Sequence, residues 1–257
     1  MHDFTFNGQS LLSLGGRIVQ PPVHTVARRS TERVKLYGRS GDEIIDNESY
    51  DNVDFSLKIA LLPHLTQRTA HDLAYAVIDW LAPLQNGYYV YTDTCNPGYF
   101  TKAVLTNIDE IRRDLRTLLT ATLKFSRVPF WYSNSGTEPA TAEGGFLTLV
   151  NPELYAAEPV ITARYTGSTS NNLKYYIWVD DVQLPEAFVL GGITPVFYLD
   201  GVRRQHYTVD SGQKRYLSSV LPPDIPPAGT VSYKARLEGK SFGADNVLTV
   251  TPNWRRL

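Results

Sequence analysis

Cysteine is almost missing from this chain: Cys95 is the single one in 257 residues. An intrachain disulfide and a cysteine-built zinc cluster are thereby excluded. An excess of charge is missing too, with 25 Lys and Arg against 26 Asp and Glu. The balance holds in both halves: 14 basic and 14 acidic residues up to residue 132, and 11 and 12 beyond it. Neither half has the basic surplus of a protein that grips nucleic acid by its phosphates. No apolar run approaches the ~20 residues of a membrane span. The start, Met1-His2-Asp3-Phe4, has neither a basic n-region nor an apolar h-region, so no signal peptide is expected. These absences describe a protein made in a reducing cytosol, or one assembled there into a larger object.

The motifs of common chemistry are missing as well. Gly15-Gly16 and Gly144-Gly145 lack the partners of a phosphate-cradling loop. The histidines His2, His24, His64, His71 and His206 are scattered without metal-ligand spacing, and there is no Gly-x-Ser-x-Gly elbow. Cys95 sits in the turn-like Thr94-Cys95-Asn96-Pro97-Gly98, with no His and Asn that the sequence places beside it. Asp180-Asp181 is the tempting carboxylate pair for glycoside hydrolysis, but neighbours in a strand face opposite ways and in a turn both face water. It reads as a turn, as do Asp42-Glu43 and Asp109-Glu110. No cofactor, metal or catalytic residue is assigned.

What is present is aromatic and punctuated: 16 Tyr, 10 Phe and 4 Trp, with 18 Gly and 16 Pro. That profile suits half-buried pleated surfaces joined by turns. Phe4 to Phe6 opens a strand that Gly8 turns, and Arg17 to Gln20 is a second, stopped by Pro21-Pro22. Arg33 to Tyr37 alternates polar and apolar into the turn Gly38-Arg39-Ser40-Gly41-Asp42. Val53 to Leu61 alternates at period two over nine residues and is the clearest strand. One helix is signalled: Thr66 or Thr69 caps it, Ala70, Leu73, Ala74, Val77, Ile78 and Leu81 form one stripe, and Pro83 ends it. His71 lies off that stripe and reads as solvated. Strands over Tyr88–Thr92 and Val104–Ile108 follow. Leu115–Phe125 fits helix or strand, with threonine content favouring strand.

From Ser133 to Gly145 large apolar residues thin out, and that stretch is read as a linker or long loop. The domains are set at 1–132 and 133–257. Beyond the boundary, strands are expected at Phe146–Val150, Val160–Tyr165, Tyr175–Val179, Ala187–Leu190, Pro195–Leu199, His206–Val209, Thr230–Arg236 and Val247–Thr251. Asn171-Asn172, Asp180-Asp181, Gly191-Gly192, Asp200-Gly201, Asp210-Ser211-Gly212 and Pro226 to Gly229 are read as the turns between them. Short, evenly spaced strands with polar turns indicate a β-sandwich. Tyr176 and Trp178 share one face of their strand and are candidates for stacking on sugar rings, or for packing and subunit contact.

Several stretches, in order, resemble one family. Phe4-Thr5-Phe6-Asn7-Gly8-Gln9-Ser10 with Leu14-Gly15-Gly16-Arg17-Ile18-Val19 resembles the start of the distal tail proteins of long-tailed, non-contractile bacteriophages. Leu36-Tyr37-Gly38-Arg39-Ser40-Gly41-Asp42 resembles that family's apolar-x-Gly-Arg-x-Gly turn. Tyr50-Asp51 before the Val53–Leu61 strand, the single helix, Gly87-Tyr88-Tyr89 and the closing Pro252-Asn253-Trp254-Arg255 match in the same order. The match is close in the first half and looser in the second. The resemblance implies a mainly β protein: an N-terminal β-sandwich or split barrel with one α-helix, and a C-terminal galectin-like β-sandwich. It implies a hexameric ring in the virion tail, assembled in the host cytoplasm. That ring joins the tail tube protein to the tail-tip (hub) proteins of the adsorption apparatus, or baseplate. DNA would cross its lumen without specific binding, and no membrane insertion is implied.

Within that picture Gly38, Arg39 and Gly41 are structural turn residues. Arg28, Arg29 and Arg33, in what reads as a charged loop, with Phe55 and Leu57 on the clearest strand, are candidate subunit contacts. The alternative reading is a carbohydrate-binding adhesion module acting through Tyr176 and Trp178. A glycan-cleaving enzyme centred on Asp180 is a distant third.

Overall fold

The computed structural model describes residues 2–20, 22–23, 25–115, 118–167, 174–184, 188–189, 196–210, 213–218, 222–237 and 242–257. The expected turns Asn171-Asn172, Gly191-Gly192 and Ser211-Gly212, and His24, lie outside them. The chain is mainly β and forms two compact units, Met1–Trp131 with Leu257, and Tyr132–Arg256.

In the first unit, β1 (Phe4–Phe6) turns through Asn7 and Gly8, both with positive φ, into β2 (Gln9–Ser10). An Asn-Gly pair suits a two-residue hairpin because its twist matches that of the strands. Then come β3 (Gly16–Ile18), β4 (Arg29–Lys35), β5 (Asp42–Tyr50), β6 (Val53–Leu61), the helix α1 (Ala70–Leu81), β7 (Tyr89–Asp93), β8 (Tyr99–Ile108), β9 (Arg112–Leu115) and β10 (Leu118–Arg127). One antiparallel sheet runs β2-β1-β7-β8-β10-β6-β3, with β9 on β10. β6 and β10 pair without a break from Leu61↔Leu119 to Val53↔Arg127. Alternation sends Leu57, Ile59 and Leu61 inward, where they meet Ala121, Leu123 and Phe125. The core is rich in rings: Phe6–Phe125 and Phe55–Phe125 centroids lie 5.2 and 5.3 Å apart.

The helix begins where expected. Thr69 caps it by accepting from the Asp72 N–H, and its hydroxyl donates to the Asp72 carboxylate in return. Leu73, Val77 and Leu81 are buried while Ile78 and His71 stay exposed. Of the stretch Leu115–Phe125, the described residues are strand: Leu115 ends β9 and Leu118–Phe125 belong to β10, both of whose edges carry ladders, while residues 116 and 117 lie outside the described residues.

Two readings need correcting here. Arg28 to Arg33 is not a loop: from Arg29 it is β4, paired with β5 from Lys35↔Asp42 back to Arg29↔Tyr50. Asp42-Glu43 is accordingly the start of a strand and not a turn. β4 and β5 form a two-stranded sheet of their own, and every side chain in them except Ser30, Val34 and Tyr50 is exposed.

The second unit is two antiparallel sheets around one core. β11 (Trp131–Ser133) sits at the boundary. It is followed by β12 (Ala140–Glu143), β13 (Phe146–Val150), β14 (Val160–Tyr165), β15 (Lys174–Val179), β16 (Val182–Gln183), β17 (Phe188–Val189) and β18 (Val196–Asp200). β19 (Gln205–Asp210), β20 (Gln213–Ser218), β21 (Thr230–Leu237), β22 (Asn246–Thr251) and β23 (Arg255–Arg256) complete the unit. A six-stranded sheet runs β12-β22-β14-β18-β19-β20; a second runs β13-β21-β15-β16, with β17 on β15. Ile161, Ala163, Phe197, Leu199, Leu248 and Val250 from one meet Ile177, Val231, Tyr233, Ala235 and Leu237 from the other. Inner faces that share a core define a β-sandwich.

The stretch Ser133–Gly145 is not a structureless linker. It holds a short 3-10 turn, Asn134–Thr137, and then β12, which pairs with β22. Gly136 is needed there, because a Cβ would collide with the Trp254 backbone. The closing residues are tied down: the Asn253 N–H donates to the Gly136 carbonyl at 2.7 Å, and Arg255 donates to the Ala156 carbonyl at 2.6 Å and pairs with Glu158 at 2.9 Å.

Candidate functional site

The residues with the most chemistry on paper are placed to do little of it. Cys95 Sγ lies 3.5 Å from His2 Nδ1, but burial and the neighbouring Asp93 charge push the thiol up and disfavour the reactive thiolate. Asp180 and Asp181 are the two positive-φ residues of a tight hairpin turn between β15 and β16. Asp180 accepts from the Ser232 N–H at 2.8 Å, and Asp181 pairs with Lys234. Among the described residues, no cluster of three or more His, Cys, Asp or Glu side chains is placed to hold a metal ion.

Two surfaces remain. The first is the β4–β5 hairpin. Gly38 and Gly41 carry the tip at φ of 76° and 93°, in the left-handed region that glycine adopts without strain. Arg39 forms a loose pair with Glu43 at 3.9 Å, and Tyr37, just before the tip, is fully exposed. At the base, Arg29 Nε donates to Asp46 at 2.7 Å, its guanidinium lies 5.6 Å from the Tyr50 ring, and Tyr50 packs edge-on against Phe130. The Arg29 hydrogen bond, followed by one from the Glu48 N–H, holds the Asp46 carboxyl below the usual carboxylate range. Ile44 and Ile45, adjacent on β5, point to opposite faces, and both are exposed. Arg28 and Arg33 are exposed with them. Among the described residues, neither strand pairs with anything but the other.

The contacts proposed on β6 divide. Leu57 is fully buried in the core of its own unit, so its side chain cannot meet a second subunit. Phe55 is half-buried: its ring packs on Tyr91 and Phe125, and its edge lines a shallow depression with Asp54, Ser56, Thr106 and Lys124. Phe55 and Leu57 stand out in the sequence because their strand alternates clearly, whereas Ile44 and Ile45 lie on one that does not.

The second surface is the outward face of the β13-β21-β15 sheet. Tyr176 and Trp178 do share that face, with ring centroids 5.9 Å apart. The register brings Arg236 beside Tyr176, and Lys234 between Trp178 and Phe146. Phe242 closes the group, 4.4 Å from Phe146 and 6.0 Å from Trp178. The Arg236 guanidinium lies 5.6 Å from the Trp178 ring centroid and 5.4 Å from that of Phe242. Tyr176 and Trp178 were legible as one strand's alternation; Phe146, Arg236 and Phe242 join them only through pairings across about 60 to 90 residues of sequence.

No family model matches the chain, and no curated protein matches it. A solved structure does. The chain is similar over 100% of its length, and 100% of the other's, to the crystal structure of the SPP1 Dit (gp 19.1) protein, with a TM-score of 0.68 and 14% identity. That protein is described as a paradigm of the hub adsorption apparatus in phages infecting Gram-positive bacteria. The resemblance read from the sequence is met at the level of the fold: over its whole length this chain is folded as that Dit protein is folded.

Proposed function

We propose that this chain is a structural, non-enzymatic subunit of a bacteriophage tail tip, six copies of which close into a ring through the N-terminal unit. The observation that carries the reading is the full-length likeness to a tail-hub protein. The hairpin supports it physically. A lone two-stranded ribbon is marginal in water, and free strand edges invite pairing with another chain. Here the ribbon exposes Ile44, Ile45, Leu36 and Tyr37 with no partner sheet among the described residues of its own unit. A head-to-tail contact that repeats through a fixed rotation closes into a ring. In this reading the hairpin, with Arg28, Arg29 and Arg33, lies against the next copy, and Phe55 is a secondary contact. Tail tube and hub proteins stack on the two faces of the ring, and DNA crosses the lumen unbound, in keeping with the net charge of −1. The second unit is the outer, galectin-like sandwich. The place of action is the virion tail, after assembly in the host cytoplasm.

The test is the mass of the particle. Light scattering and negative-stain microscopy are expected to give annuli of about six times 28.8 kDa, alone or on addition of the tube protein. A species that stays monomeric at high concentration under both conditions overturns the reading.

A further inference from the structure

We infer that the outward face of the β13-β21-β15 sheet is a binding site for an anionic glycan, with Trp178 and Phe146 stacking on pyranose rings and Arg236 receiving a carboxylate or phosphate. Three observations carry this. The first is composition: Tyr176, Trp178, Phe146 and Phe242 converge on one face with two cations among them. Rings that offer flat apolar faces, with polar groups at their rims, match the C–H faces and hydroxyl edges of sugars.

The second is geometry. The rings of this group are tilted to one another by 41° to 56°, so their faces diverge and are not spent on each other. The six-stranded sheet provides the contrast. On it Tyr198 and Tyr207 are stacked at 4.9 Å and 8°, with Lys214 capping Tyr207 at 4.1 Å. Cations lie over rings on both sheets, Lys234 at 5.9 Å from Phe146 among them, so the difference is that the Tyr198 and Tyr207 faces are spent on each other.

The third is charge. Lys234 is already engaged by Asp181, whereas Arg236 has no ion pair among the described residues, and its Nε, itself buried, has no hydrogen-bond partner among them, which leaves the guanidinium's outer nitrogens to meet a ligand. A guanidinium held between aromatic rings, with donor capacity left over, is suited to the paired oxygens of a carboxylate or phosphate. A neutral glycan would use the rings and leave that capacity unmet. The site therefore calls for a sugar polymer that carries negative charge, and it needs no second copy of the chain.

The experiment uses the full-length protein with four probes: trigalacturonic acid, maltotriose, glucose 6-phosphate beside glucose, and oligoglutamate. Binding is followed by titration calorimetry and saturation-transfer NMR. Trigalacturonic acid is expected to bind at least about tenfold more tightly than maltotriose, a gap the size of one lost charged contact. Glucose 6-phosphate against glucose shows whether phosphate serves as well as carboxylate. Trp178→Ala is expected to abolish binding of both trisaccharides, and Arg236→Gln to erase the preference for the acidic one while weak binding remains. If Trp178→Ala fails to fold, Phe146→Ala, at an exposed strand position, replaces it with an expected loss of several-fold. No binding of any sugar overturns the inference, and so does binding that survives Trp178→Ala. Oligoglutamate binding as tightly as trigalacturonic acid also overturns it, by marking the face as a docking surface for an acidic protein. The assembled mass of the same samples is measured alongside: lost sugar binding with rings intact sinks only this inference, and intact binding by a monomer sinks only the ring.

Discussion

Two nine-residue strands stand side by side in the chain and have opposite fates. β5, Asp42–Tyr50, is exposed along almost its whole length and pairs only with β4. β6, Val53–Leu61, begins three residues after β5 ends and is a central strand of the first unit's sheet, with Leu57, Ile59 and Leu61 fully buried. The difference lies in burial, since both are extended and hydrogen-bonded. β6 is held by the core of its own unit. β5 is held by one ladder, an Arg29–Asp46 pair and a ring contact at its base. In the ring proposed above, the surface that this element lacks within its own unit comes from the next copy.

The contrast can be broken at several points. Leu57→Ala, which opens a cavity in the core, is expected to cost about 2–5 kcal/mol in urea unfolding. Ile44→Glu, on the exposed strand, is expected to change unfolding by no more than about 0.5 kcal/mol. It should nevertheless shift the assembled mass to that of a monomer, and a variant that still forms rings would show that the hairpin is not the contact. Gly41→Ala places a side chain at φ 93° in open space, so the strain is conformational alone. It should cost about 1–2 kcal/mol at the hairpin tip, seen as faster amide exchange there while the β6 amides are unchanged.

The smallest effect is electrostatic. The Asp46 carboxyl has a depressed pKa in the fold, so its pairing supports the hairpin above the ordinary aspartate range and is lost as pH falls through the folded value. An NMR titration should find Asp46 below its usual midpoint, and Arg29→Gln should bring it part of the way back, the Glu48 N–H bond remaining. Both side chains are open to solvent, so salt weakens the effect and overall stability barely moves.

The same contrast explains what could be read in advance. Strand β6, the helix with its Thr69 cap and most strands of the second unit announced themselves, because each alternates between a core face and a solvent face. β5 carries Ile44-Ile45 in sequence and polar residues on both faces, so it has no period to detect. β12 looked like linker because Ala140 and Ala142 make a thin apolar face, enough only when β22 lies beside it. Leu57 was misjudged as a contact for the converse reason: a regular pattern reports burial, and burial within the unit removes a residue from the surface. At the second surface, Trp178 was visible from its own strand, while Arg236 and Phe242 depend on how distant strands register.

The clasp at the close of the second unit has a consequence of its own. Ser133 donates its N–H to the Trp254 carbonyl at 2.9 Å, and Asn253 returns a bond to Gly136, so the unit's entrance and exit lie next to each other. A module whose two ends meet is a cassette. It can be lifted out, lengthened or exchanged without stretching the chain that leads into it. Its outward face is then free to diversify at a pace the first unit need not follow.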